Sequence, residues 1–149
     1  MKLYVESQIR IRASSQRILK ALTDFDDLNK WWGVDSVFIQ KKDGGLYALT
    51  WLRSKDGIKF ISTGRIRFYD RRTHLHIEDL LYINSERPII GPFTLFYDVQ
   101  EESHYSILKI KQGGFNKNPE FEWYYKAVQE GWPQALFMLK TYLEKEVQR

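Results

Sequence analysis

Two histidines, His74 and His76, stand two residues apart in a run that alternates apolar and polar side chains, so both fall on one face of a strand. That spacing can bring two imidazoles onto one metal ion. Leu75 and Ile77 take the core-facing side, however, which leaves both histidines outside with Glu78 continuing their face. No third histidine stands close by, His104 falling in a later turn, and the expectation is a solvated strand face with no metal and no cofactor. Asp79 continues the parity of Leu75 and Ile77. Turned inward, its carboxylate would have a raised pKa and could serve as a base. A break in the alternation, or an ion pair with a neighbouring strand, is the simpler expectation. Asp24, Asp26 and Asp27 crowd what reads as a helix start, where acids meet free N–H groups and the positive end of the dipole. Capping is therefore expected there rather than paired-carboxylate chemistry. The chain has no cysteine, which excludes disulfides, thiol nucleophiles and thiolate metal sites. Gly113-Gly114 lacks the lysine and spacing of a phosphate loop, and no Ser-His-Asp arrangement is present.

The other chemistry is aromatic. Of 149 residues, 15% are Phe, Tyr or Trp, including five Trp. Such side chains carry large buried area, so the chain has either a very full core or a hollow one with large walls. The formal net charge is only +4. Arg10, Arg12, Lys109 and Lys111 point outward on the first and last strands and would form a basic stripe if those strands pair. The excess is small and spread out, and no nucleic-acid partner is expected. No stretch approaches the ~18 apolar residues of a spanning helix, so no membrane insertion is expected. Met1 to Glu6 alternates and lacks the apolar core of a secretory leader; the expected location is cytoplasmic.

The elements that must position these residues follow from periodicity. Residues 3 to 13 alternate strictly, with Leu3, Val5, Ser7, Ile9 and Ile11 on one face and Lys2, Tyr4, Glu6, Gln8 and Arg10 on the other, which predicts a half-buried strand. Ser14 or Ser15 can cap a short helix with Ile18, Leu19 and Leu22 as its apolar stripe. A second short helix starts near Asp24 and closes at Trp31-Trp32-Gly33. Strands are predicted over 34–40, 46–53, 58–69, 73–82, 93–100 and 105–112, with Asp43-Gly44 and Asp56-Gly57 as hairpin turns. On the third of these, Phe60, Ser62, Gly64, Ile66 and Phe68 share a face. Residues 84–92 read as a loop. Asn118 and Pro119 open a long helix whose Phe121, Tyr125, Val128, Trp132, Leu136, Leu139 and Leu143 share a face. Gly131 and Pro133 are expected to interrupt it with a kink. Trp123 falls roughly opposite Trp132, which points to a protein partner, a second copy in a homodimer, or a lid over a cavity mouth. The order is strand, two short helices, six strands and a long helix. That predicts one α+β domain over 1–149, with an antiparallel meander of about seven strands curled around the last helix.

Ile9-Arg10-Ile11-Arg12-Ala13-Ser14, Lys20-Ala21-Leu22-Thr23 and Trp31-Trp32-Gly33 resemble the opening of the START/Bet v I-like (SRPBCC) superfamily. The closer likeness is to its branch of activator of heat-shock-protein-90 ATPase homologues, whose end Gly131-Trp132-Pro133-Gln134-Ala135-Leu136 and Leu139-Lys140-Thr141-Tyr142-Leu143-Glu144 resemble. Gly44-Gly45-Leu46-Tyr47, Asp56-Gly57 and Gly64 sit where that branch has its hairpin glycines. The resemblance covers nearly the whole chain and implies a helix-grip fold with a cavity between sheet and C-terminal helix. Members bind lipids, sterols, polyketides or hormones, a few are cyclases or hydrolases, and some bind a chaperone. Pro133 and the loop over 84–92 depart from the pattern.

With a cavity implied, the inward strand faces supply Trp51, Phe60, Ile77, Phe93, Tyr97, Leu108 and Gln112 as ligand contacts. Trp32 forms one end, and Tyr125, Val128 and Trp132 form the helix wall. Gln112, Tyr97 and Ser62 are the polar groups expected to orient a ligand. The resulting expectation is a binder of a small hydrophobic or aromatic molecule, with no catalytic residue assigned. An enzyme of the same fold would need a buried acid or base, for which Asp79, His76 and Tyr97 are the candidates. A co-chaperone-type interaction module would need a filled interior and an outer patch anchored by Trp123.

Overall fold

The computed structural model describes residues 3–147. Lys2, assigned above to an outward face, lies outside them. The elements run β1 (Tyr4–Ile11), α1 (Ser15–Ala21), α2 (Phe25–Trp32), β2 (Val34–Ile39), β3 (Leu46–Ser54), β4 (Gly57–Asp70), β5 (His74–Asn84), β6 (Ile90–Glu101), β7 (Ser106–Gly113) and α3 (Pro119–Val147). All seven strands form one antiparallel sheet in the order β1-β7-β6-β5-β4-β3-β2. Only the first strand is out of sequence order: the two short helices lie between it and the meander, and β7 returns to pair with it. The sheet curves round α3 to give the helix-grip α+β fold. Among the described residues no helix is long and apolar enough to cross a membrane.

Local chemistry explains the boundaries. Ser14 Oγ accepts the backbone N–H of Arg17 at 3.1 Å and starts α1. Gly33, at φ +70°, closes α2 in the left-handed region that a side chain would resist. Asn118 Oδ1 accepts the N–H of Glu120 at 3.1 Å, and Pro119 opens α3.

Helix α3 is continuous through Gly131 and Pro133, so neither residue ends it. Proline removes one helical hydrogen bond, to the Gln129 carbonyl. Trp132 and Leu136 on either side of it are buried in the core, as are Leu139 and Leu143 beyond, so both halves are held.

Strict alternation also fails at bulges, two of which bear on the candidate residues. The β4–β5 register shifts between Ile66 and Phe68, and Phe68 turns outward instead of sharing the face of Ile66. The β5–β6 register shifts between Ile77 and Leu80, where Asp79 sits at φ +53° and is exposed. A bulge adds one residue to one strand, which flips the parity beyond it and bends the strand. Leu80, not Asp79, therefore enters the core.

Asp27 is the third departure. It caps nothing but is buried beside Arg17, whose guanidinium holds it in a two-pronged pair at 2.8 and 2.9 Å. Arg17 also reaches Glu146 at 2.7 Å, and the Tyr142 hydroxyl donates to Asp27. This knot ties α1 and α2 to the C-terminal turns of α3. Burial disfavours the Asp27 carboxylate, but hydrogen bonds from Arg17 and Tyr142 outweigh it and pull its pKa down to about 2.

Candidate functional site

The core is not full. Between the sheet and the N-terminal half of α3 lies a cavity of about 290 Å³. Its cause is a stripe on α3. Ala127, Gly131 and Ala135 recur every fourth residue and line the space, where larger residues would have filled it. A Cβ added at Gly131 would meet no atom within 4 Å. Ala127 is exposed, Gly131 half-buried and Ala135 buried, so the stripe runs from mouth to floor.

Rings make the walls. Trp32, stacked on Trp31 at 4.9 Å, meets Trp51 edge-on at 5.2 Å and Trp132 at 5.7 Å. Phe60 stacks on Tyr82 at 6.1 Å, and Tyr82 on Tyr124 at 4.8 Å. Trp31 is fixed in turn by its Nε1–H, which donates to the Ala21 carbonyl at 2.8 Å. Trp132 Nε1–H donates to Gln112 Oε1 at 2.9 Å, and Gln112 Nε2 faces the Tyr124 hydroxyl at 3.5 Å. Gln112 thus pins two ring walls. Burial pushes the phenols of Tyr47 and Tyr124 well above the usual tyrosine range. Among the described residues no Asp, Glu, Lys, Arg or His lines the cavity.

Of the eleven residues expected at a ligand, Trp32, Trp51, Phe60, Gln112, Val128 and Trp132 surround this cavity, as does Ser62. The other five do not line it. Ile77 and Leu108 are buried behind the wall. Phe93 belongs to a separate nest with Phe115, Phe121 and Tyr124. Tyr97 stands one layer back, edge-on to Trp132 at 5.9 Å. Tyr125 packs on Phe115 and lines a smaller crevice with Val5 and Gln129. The bulge at Asp79 explains part of this, because Leu80 takes the place at the wall that simple alternation gave to its neighbours. Tyr47, Leu80, Tyr82, Leu95 and Tyr124 were missed. Tyr47 had a signal: it shares the parity of Trp51 through Leu49.

Trp123 is half-buried rather than left in water. It packs edge-on to Tyr124 at 5.5 Å and near Tyr82 at 6.5 Å, with the Arg87 guanidinium 4.0 Å above its ring. Trp123 therefore closes over two wall residues, held by the β5–β6 loop. The other candidates lie elsewhere. His76 Nε2 bonds Asp98 Oδ1 at 2.8 Å on the outer face, where its ring stacks on Phe96 at 4.3 Å. The basic stripe is partly engaged: Arg10 lies over Tyr105, Arg12 is near Glu144 and Lys111 is near Glu6. Among the described residues no group of three His, Asp or Glu could hold a metal.

Comparison with known proteins agrees with this architecture. The chain is similar in fold to the crystal structure of protein MLL2253 from Mesorhizobium loti, at 14% identity, 95% of this chain, 97% of that one and a TM-score of 0.75. It is similar to the solution structure of the Aha1 dimer from Colwellia psychrerythraea, at 14% identity, 93% and 94% coverage and a TM-score of 0.69. It is also similar to CalU16 from Micromonospora echinospora, at 18% identity, 98% and 79% coverage and a TM-score of 0.67. No curated protein matches the chain. A curved seven-stranded sheet gripping one long helix, and a match over residues 12–144 to the family model, place the chain in the family described as Activator of Hsp90 ATPase homolog 1-like protein.

Proposed function

We propose that this protein binds a small, largely aromatic molecule in the cavity between its sheet and α3. The observation that carries this reading is a space of about 290 Å³ walled by rings and small residues, with no charged side chain on it among the described residues. Ligand pockets have this composition, mostly apolar with a few placed polar groups. Binding is driven by apolar burial, worth about 25 cal/mol per Å². Acid–base turnover is the weaker alternative. Asp79 and His76 lie off the cavity, and burial keeps the Tyr47 and Tyr97 phenols protonated near neutral pH. A co-chaperone-type module is weaker still, since the interior is hollow and Trp123 is already covered by Arg87.

The test is native mass spectrometry of wild type and Gly131→Met, each purified gently from the cell that makes it. The methionine side chain introduced at that position would point into open space and occupy it. Wild type is expected to carry an adduct of small-molecule mass that Gly131→Met lacks, although both fold. An adduct retained unchanged by Gly131→Met would place the ligand outside this cavity. A clean apo mass for both would move weight to the interaction module.

A further inference from the structure

The polar groups on the cavity wall are unevenly spent, and on the cavity reading this decides the chemistry of the occupant. Gln112 is the wall's carboxamide, and its oxygen already accepts from Trp132. Tyr124 accepts from Gln112, so its own proton is left to give. Tyr47 lines the cavity at 2% exposure, and its hydroxyl has no hydrogen-bond partner among the described residues. Among those residues no fully enclosed side-chain nitrogen or oxygen lacks a partner, so the Tyr47 hydroxyl is not fully enclosed, and the open space that Tyr47 lines is the cavity. Ser62 adds a further hydroxyl to the same wall. The wall therefore offers hydroxyl protons without a partner, while one lone pair of its carboxamide oxygen is already engaged by Trp132.

We propose that the cavity selects a neutral, planar molecule of one or two rings carrying a hydrogen-bond acceptor, a carbonyl or ether oxygen, received by the Tyr47 hydroxyl. The size follows from the volume, which lies at the small end of the range of about 300–1,000 Å³ for ligand sites and is too tight for a sterol or a two-chain lipid. An aromatic, hence planar, occupant follows from Trp32, Trp51 and Trp132, whose rings, with Trp51 at 78° and Trp132 at 45° to Trp32, offer both faces and edges to a guest ring. Neutrality follows from the lining, since an anion would lose its water and meet no cation. A buried donor left unmatched is costly, so a ligand with an acceptor gains over its hydrocarbon analogue.

The experiment titrates wild type and Tyr47→Phe with 2-acetylnaphthalene and with 2-ethylnaphthalene, following tryptophan fluorescence. Tyr47→Phe removes one oxygen and keeps the ring. It should weaken the ketone by about five- to tenfold and leave the hydrocarbon within about twofold. Equal loss for both ligands, or no loss for the ketone, would overturn the assignment while leaving the cavity reading intact. If neither compound binds wild type, the cavity reading falls and this proposal with it. A second readout needs no variant: the carbonyl stretch of wild-type-bound 2-acetylnaphthalene should lie below its value in hydrocarbon solvent. An unshifted stretch would also overturn the proposal.

Discussion

Asp27 shows how one side chain can serve a purpose its neighbours in sequence do not suggest. Three acids crowd the start of α2, but only Asp27 turns into the protein, toward Arg17. Removing it leaves a guanidinium in a half-buried site with one partner fewer, at a cost of about 3 kcal/mol for Asp27→Ala by chemical denaturation. The pH dependence has a definite sign. The folded-state pKa is depressed from 3.8 to about 2, so the pair stabilises the fold above the unfolded value and is lost as pH falls through that window. The melting temperature of wild type should therefore drop more steeply across it than that of Asp27→Asn. Gln112 gives the matching prediction at the cavity. Gln112→Leu keeps the bulk but strands the Trp132 N–H, and should cost about 1–3 kcal/mol by denaturation and shift tryptophan emission as the indole loses its anchor.

On the scale of single elements, α3 does two jobs with two stripes. Phe121, Leu136, Leu139 and Leu143 fill the core, while Ala127, Gly131 and Ala135 leave it empty. Gly131→Ala should stabilise the protein by about 1 kcal/mol from helix propensity alone, measured by denaturation, because the added methyl meets nothing. The first stripe was legible in the sequence and the second was not. Periodicity is read from large apolar residues, and a run of small ones carries no moment of its own. The strands failed differently. Period two placed Trp51, Phe60 and Gln112 at the cavity, but an added residue at Asp79 shifted the parity and hid Leu80. Asp79 marked the place, since a carboxylate on the core-facing parity already pointed to a break in the alternation; what it did not show was that Leu80 would take the wall. The helix runs unbroken through Pro133 because packing on both sides outweighs one missing hydrogen bond.

Across the molecule, the knot of Arg17, Asp27, Tyr142 and Glu146 sits at the C-terminal end of α3 and the hollow under its N-terminal half, with Ala127 at the mouth about 22 Å and Ala135 at the floor about 10 Å from Tyr142 by helical rise. Amide exchange should therefore be slowest near α1 and the last turns of α3, and a bound ligand should slow it chiefly around Ala127, Gly131 and the β5–β6 loop. The fold was legible as an order of elements, because alternation, turns and one long amphipathic helix admit few arrangements. The cavity was legible only through the family resemblance, because periodicity does not show which core positions are small. The stripe on α3 has a consequence for divergence. Three positions on one exposed-to-buried line set the depth of the chamber, and none of them belongs to the sheet. Substitution there can change the volume of the hollow while the scaffold stays the same, so proteins that share this architecture at 14–18% identity are free to differ in their interior space without differing in shape.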